Sequence, residues 1–436
     1  MRDPRWEVGV SWGRYPRAHH AAVVPLGGQS APPALDAIEE TMLPYAYGRS
    51  YGDSCLNEGG VLLDVAGLDR LTDFDQSTGL LRCEAGVSLA EILDLTVPLG
   101  WFLPVVPGTR WVSVGGAIAN DIHGKNHHRA GTFGAHITRL ELLRSDGDRI
   151  VCSLSEHPDL FRATVGGLGL TGVILWAEIR LMRVPGAGIA LERIRYDRLA
   201  QFHELSATDA EHEYTVAWVD CLGGRGAGRG VYLRGDHAPW NGAPRSPLQP
   251  VVLRVPFDLP AGLLNRITLT AFNTLYYRRQ ASVRATVPYQ PFFFPLDGLG
   301  AWNRLYGSPG FVQYQCVVPN AAADVVEELL QRIRRSGEVA ALAVLKRFGA
   351  RASPGMLSFP RPGLTLAVDF PLRGPSTLAL LETLDAMVRE AGGAVYPAKD
   401  ARMSPRSFRA FFPEWERFAA YVDPKFSSSF WRRVAG

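Results

Sequence analysis

A chain of 436 residues, 47% of them hydrophobic, is long enough for two or three domains and has ample material for buried cores. Its 46 basic and 43 acidic residues leave a formal charge of +3, which excludes the strong uniform field of a dedicated nucleic-acid binder. Cys55, Cys83, Cys152, Cys221 and Cys316 are odd in number and never form C-x-x-C, so neither a disulfide framework nor a zinc knuckle is expected.

The opening residues, Met1 to Glu7, lack the run of roughly seven apolar residues at the centre of a signal peptide. No window approaches the roughly 18 uncharged apolar residues of a spanning helix. The expectation is a soluble cytoplasmic protein with reduced thiols, any membrane contact being peripheral, at the inner face of the cell membrane.

From Tyr47 to Met182, short β-rich runs alternate with glycine turns: 61–65, 80–83, 140–143, 149–152 and 172–182. Ser88 and Glu91 make a capping-box pattern ahead of Leu89, Ile92, Leu93 and Val97 at helical spacing, which predicts a helix over 88–97. The fold class is α+β, its strands joined by turns rather than by regular crossover helices. After Pro185 come strands at 214–219 and 251–255, then a proline- and aromatic-rich stretch from Pro239 to Trp302. Helices follow at 321–335 and 375–391, beside apolar runs at 340–345 and 364–370; these units would line one cleft.

The richest stretch is 113–128. Gly115, Gly116 and Gly124 allow backbone N–H groups close to a ligand, beside His123, Lys125, Asn126, His127 and His128. Metal binding is the rival reading, but H-x-x-x-H-H has no nearby acidic or thiol ligand except Asp121, and H-E-x-x-H is absent, so no metal is expected. No G-x-S-x-G elbow supports a serine nucleophile. Gly167-Leu168-Gly169-Leu170-Thr171-Gly172 matches G-x-G-x-x-G, yet a β-rich run follows where a dinucleotide fold needs a helix. Gly48 to Asp53 and Pro107 to Thr109 add two further loops that could surround an extended anionic ligand.

Together, Gly48-Arg49-Ser50-Tyr51-Gly52-Asp53, Pro107-Gly108-Thr109, the run 114–128 and Val165-Gly166-Gly167-x-Gly169-Leu170-Thr171-Gly172 resemble flavoenzymes of the vanillyl-alcohol oxidase (PCMH) type. Within them the chain is most similar to the decaprenylphosphoryl-β-D-ribose 2-oxidase family, flavin subunits of a sugar 2-epimerase. The likeness continues through Ala217-Trp218, Trp302-Asn303-Arg304, Gln313-Tyr314-Gln315, Leu345-Lys346, Val368-Asp369-Phe370-Pro371 and Tyr396-x-Ala398-Lys399-Asp400.

The resemblance implies a two-domain fold: an FAD-binding domain over 1–186, an antiparallel-sheet substrate domain over 187–393, and a segment over 394–436 that returns to the first. It implies FAD contacts at Gly48, Arg49, Ser50, Tyr51, Gly52, Asp53, Gly108, Ser113, Val114, Gly115, Gly116, Asn120, Asp121, Ile122, His123, Ile174 and Tyr396. The flavin is expected to be non-covalent, since Asp53 stands where members that tether it often carry histidine. Trp218, Gln315, Lys346, Thr365, Ala367 and Lys399 would bind substrate, with Ala367 and Thr365 replacing the family's cysteine and asparagine. Lys399, His123, Tyr51 and Lys125 are the candidates for proton handling, unranked.

The implied reaction is oxidation of the 2-hydroxyl of a polyprenylphosphate-linked ribofuranose, the keto sugar passing to a separate NAD(P)H-dependent short-chain reductase. No nucleic acid is involved. Phe292, Phe293 and Phe294 are either core or an apolar lip for the lipid tail. The alternatives are an alditol or aldonolactone oxidase on the same fold, and a flavin-binding protein without catalysis.

Overall fold

Strands Ala22–Gly27 and Met42–Tyr45 flank Val61–Gly67 in a small parallel sheet whose central Leu62 and Leu63 are fully buried. This computed structural model describes residues 7–27, 34–223, 228–240, 242, 253–260 and 262–436. A second, antiparallel sheet runs in the order Leu71–Asp75, Leu80–Glu84, Val173–Arg180, Ile137–Leu143, Arg149–Cys152. The predicted helix is present as Leu89–Thr96, with the reciprocal cap in place: Ser88 Oγ accepts from Glu91 N at 3.2 Å and the Glu91 carboxylate from Ser88 N at 2.9 Å.

The third sheet has eight antiparallel strands, ordered Val283–Pro288, Gly188–Tyr196, Gly230–Ala238, Tyr214–Val219, Ala343–Phe348, Gly363–Pro371, Phe311–Val318, Ala394–Val395. Helices Val325–Ser336 and Pro375–Glu390 bury Leu329, Ile333, Leu380 and Leu384 in the same core as the sheet's Cys316, Leu345, Leu366 and Val368. The alternate residues face the other way. Pairing puts Trp218 opposite Val344, Val344 opposite Ala367, and Ala367 opposite Gln315, so one row of side chains crosses four strands.

Between 239 and 302 the structure holds a fourteen-residue helix, Arg266–Arg279, that the aromatic and proline-rich sequence does not announce. Its buried positions are Leu269, Asn273 and Tyr277, while Ile267, Phe272 and Leu275 are exposed, so no apolar stripe marks a core-facing side. Of the strand predicted at 251–255, Leu253–Arg254 pairs with Leu299–Gly300; residues 251 and 252 lie outside the described set. Phe292, Phe293 and Phe294 are 5%, 0% and 2% exposed, packed with Tyr214, Phe102 and Tyr289, which removes them as a lip.

The tail closes back on the first sheets. Met42 N donates to Lys425 O at 2.7 Å, Tyr51 N to Ala398 O at 2.9 Å, and Ser145 N to the Asp423 carboxylate at 2.9 Å. The five cysteines are free, and among the described residues no helix is long and apolar enough to cross a membrane.

Candidate active site

A cavity of about 1100 Å³ separates the glycine loops from the open face of the eight-stranded sheet. The loop wall comprises Gly48, Arg49, Ser50, Tyr51, Gly108, Ser113, Gly115, Gly116, Asn120, Ile122 and His123, with Ile174 and Tyr396. Gly48 has φ +56°, the left-handed conformation glycine adopts without strain. Ser113 caps the short helix Val114–Ala119, its Oγ accepting from Gly116 N at 3.1 Å. Leu168, Gly169 and Gly172 also reach the cavity, but between helix Pro158–Thr164 and strand Val173–Arg180, the reverse of the dinucleotide-fold order.

Five of the expected contacts lie off the cavity wall, each for a visible reason. Gly52 is pressed against the tail, where a Cβ would sit 1.7 Å from Asp400 O. Asp53 is held by the Arg433 guanidinium at 2.7 and 3.0 Å. Val114 turns into the core. Asp121 is fully buried, accepting from Gly134 N at 2.9 Å and from the hydroxyls of Ser353 and Ser358. Thr365 is covered by Gln315, whose Nε2 donates to its Oγ1 at 3.2 Å.

On the sheet side, Trp218, Val344, Lys346, Ala367, Gln313 and Gln315 line the cavity with Lys399. Strand periodicity explains the set: these positions alternate along their strands with core residues. His123 bridges the two walls. Gln315 Nε2 lies 2.8 Å from its Nε2, and Lys346 Nζ lies 3.0 Å from its Nδ1. Burial, then Lys346 and His127, hold the imidazole well below its usual pKa, so it stays neutral. Its neighbours diverge: His127 Nδ1 accepts from Gly349 N at 3.2 Å, and His128 Nε2 meets His212 O at 2.9 Å. Among the described residues no three His, Cys, Asp or Glu side chains gather as a metal site.

Three lysines converge here. Lys125 donates to Phe293 O at 3.0 Å and is pushed down to about 8 by burial. Lys346 falls to about 7 through burial, then repulsion from Lys125 and Lys399. Lys399 also falls to about 7 by burial, opposed by the Asp369 carboxylate, and its Nζ stands 3.6 Å over the Tyr51 ring. Surface accessibility leaves all three partly reachable from the cleft, so their desolvation is incomplete. The Tyr51 phenol is raised well above its usual value, chiefly by burial, then by Asp369. It can donate a hydrogen bond but does not ionise near neutral pH.

The donor set fits FAD. The cavity lies just above the roughly 300–1,000 Å³ range of small-molecule sites, room for a dinucleotide-sized ligand. Ser11 and Ser54 on its wall have buried hydroxyls without a partner, and a Cβ at Gly108 would meet nothing within 4 Å, leaving backbone open to a ligand. A family of FAD binding domains matches residues 34–153. The chain is 40% identical over 406 residues to decaprenylphosphoryl-β-D-ribose oxidase of Mycolicibacterium smegmatis, covering 89% of this chain and 87% of that protein. The chain belongs to that family of FAD-dependent oxidoreductases. A Streptomyces coelicolor relative, an uncharacterised protein of the mprA 5′ region, is 37% identical over 374 residues, 80% of this chain and all of that protein. A putative D-arabinono-1,4-lactone oxidase of Neurospora crassa is 31% identical over 129 residues, 30% of this chain and 23% of its own.

One residue of this family member was absent from the expected site. Asp369 is 1% exposed and accepts from Gln313 Nε2 at 2.5 Å and Tyr306 OH at 3.3 Å, beside the lysine cluster. Burial raises it to about 6 against those hydrogen bonds and Lys399. A carboxylate inside the apolar run 364–371 is the signal that could have found it, by the reasoning applied to Lys346.

Proposed function

We propose that this protein oxidises the 2-hydroxyl of a polyprenylphosphoryl-β-D-ribofuranose to the 2-keto sugar, the first half of a 2-epimerisation towards arabinose. The observation that carries the reading is the convergence of Lys125, Lys346 and Lys399 on the cavity that the glycine loops also line, a set of amines that a sugar phosphate can hydrogen-bond and whose protonated forms its negative charge would favour. The relative's name supplies the substrate class.

In this reading residues 1–186 and the returning 394–436 hold the cofactor, and 187–393 supply the substrate wall. FAD held by the loops at 48–51, 108–116 and 120–123 would supply the hydride acceptor for the carbinol carbon. The chain must hold that carbon at about 3 to 3.5 Å from its acceptor and receive the hydroxyl proton. Lys399, lowered to about 7 and so partly deprotonated at neutral pH, takes the proton on the Nζ of its neutral form, and the resulting ammonium is stabilised by Asp369. His123, a neutral imidazole with both ring nitrogens engaged by Gln315 and Lys346, acts by positioning those two side chains on the substrate wall. FAD is non-covalent in this reading, since Asp53, engaged by Arg433, stands where members that tether the flavin often carry histidine. A separate NAD(P)H-dependent reductase would complete the epimerisation, at the inner membrane face where the lipid-linked sugar resides.

Anaerobic stopped-flow mixing tests this. Polyprenylphosphoryl-ribose should bleach the bound flavin far faster than free pentoses or pentitols. Faster bleaching by a pentitol or aldonolactone would replace the proposal with a soluble sugar-oxidase activity.

A further inference from the structure

The cleft wall continues outward as a line of aromatic rings. Trp218 packs edge-on against Tyr276 at 4.9 Å, and Tyr276 stacks on Phe272 at 6.2 Å. All three line the cavity, yet Phe272 is 58% exposed. It belongs to helix Arg266–Arg279, whose inward side is held largely by polar groups: Asn273 Nδ2 donates to Asp220 at 2.9 Å, and Tyr277 OH to Tyr196 O at 3.3 Å. The outward side is the apolar one. Ile267 is 83% exposed and Leu275 50%, with Phe257 at 62% and Leu263 at 49% on the approach to the helix.

Ile267, Ala271, Leu275 and Arg278 follow each other along one outward stripe. From 259 to 296 the sequence carries Arg266, Arg278, Arg279 and Arg284 and no acidic residue. All four arginines are exposed, Arg284 while pairing with Glu192. A solvent-facing apolar stripe edged by arginine, its flanking carboxylate Asp258 paired with Arg14 at 2.7 Å, complements an anionic lipid surface. Its continuity with the cleft mouth gives that surface a purpose.

We propose that helix Arg266–Arg279, with Phe257 and Leu263, seats on an anionic bilayer and holds the cleft mouth against it. The substrate's lipid tail then stays in the membrane while the sugar phosphate passes along Phe272, Tyr276 and Trp218 to the lysines. This rests on the lipid-linked substrate proposed above.

The test is flotation of the full-length FAD-loaded protein with vesicles of phosphatidylcholine alone, or of equal parts phosphatidylglycerol and phosphatidylcholine. Binding is expected to the anionic vesicles and to weaken with salt. I267D/L275D and, separately, R278E/R279E should each lower the bound fraction about ten-fold while keeping flavin content and oxidation of a short-tailed substrate. Failure of the unaltered protein to float, or equal flotation of both variants, overturns the docking surface. A variant that alters only oligomeric mass overturns it in favour of a protein partner. Loss of flotation in the variants, with no bleaching by lipid-linked ribose in any protein, upholds docking and sinks the substrate instead.

Discussion

The Nδ1 of His123 stands 3.0 Å from the Nζ of Lys346, and a charge on either raises the cost of charging the other. A neutral imidazole donates from one ring nitrogen and accepts at the other. When Lys346 is neutral, Nδ1–H donates to Nζ and Nε2 accepts from Gln315; when it is charged, Nζ donates to Nδ1 and Nε2–H needs the Gln315 carbonyl. Proton uptake at Lys346 and the Gln315 amide orientation are therefore linked.

A base must be neutral to accept the hydroxyl proton. With Lys399 near 7, the rate of flavin reduction at saturating substrate rises with pH through about 7 and then levels. Asp369 raises the Lys399 pKa, so Asp369→Asn should move that limb to lower pH. Stopped-flow pH profiles of the two proteins check this; a limb that moves upward contradicts the assignment.

Lys346 has a folded-state pKa of about 7, below its unfolded value of about 10.5. Its cost to folding is therefore complete below about pH 7 and is relieved as pH rises towards 10.5. Lys346→Met should raise the melting temperature by about 2–4 °C at acid pH and by less at alkaline pH, solvent access from the cleft keeping the gain small. Differential scanning fluorimetry across pH reads the difference. An equal gain at every pH would contradict it.

Lys399→Met should slow flavin reduction about 10²- to 10³-fold with FAD retained. Tyr51→Phe should cost less than about ten-fold, because burial keeps the phenol protonated. Single-turnover kinetics rank the two.

Acid precipitation should release all the FAD to the supernatant. Asp53 is committed to Arg433, and burial pushes the Cys55 thiol on the cavity wall up to about 12, leaving it unreactive at neutral pH. A yellow pellet would contradict non-covalent binding.

Asp121→Asn keeps the side-chain shape and tolerates the residue's φ of +40°. It weakens the hydrogen bonds from Ser353, Ser358 and Gly134 that tie the 353–358 loop to the flavin wall. Urea titration should show a loss of about 1.5–3 kcal/mol with flavin content unchanged at saturating FAD.

Local signals made much of this protein legible in one dimension. Ser88 and Glu91 specify the helix at Leu89–Thr96, strand alternation marks 214–219, and the loops at 48–51, 108–116 and 120–123 show their ligand-facing character through glycine and titratable side chains. The family resemblance also brought Gln315, Lys346 and Lys399 into the expected site, and all three line the cavity.

What lay beyond sequence depended on partners far along the chain. Asp53 belongs to Arg433 and Asp121 to Ser353 and Ser358, so two carboxylates within flavin motifs brace the fold instead of touching the cavity. Helix Arg266–Arg279 has no core-facing apolar period, because its apolar residues point outward, and Phe292 to Phe294 could be core or lip until Tyr214 and Phe102 pack against them as core. By itself the sequence determined the glycine-rich and titratable loops that face the cavity and most of the strands and helices that present them. Tertiary structure alone decided each group's protonation, since burial and the distances among Lys346, Lys399, His123 and Asp369 arise only when separate strands and loops meet.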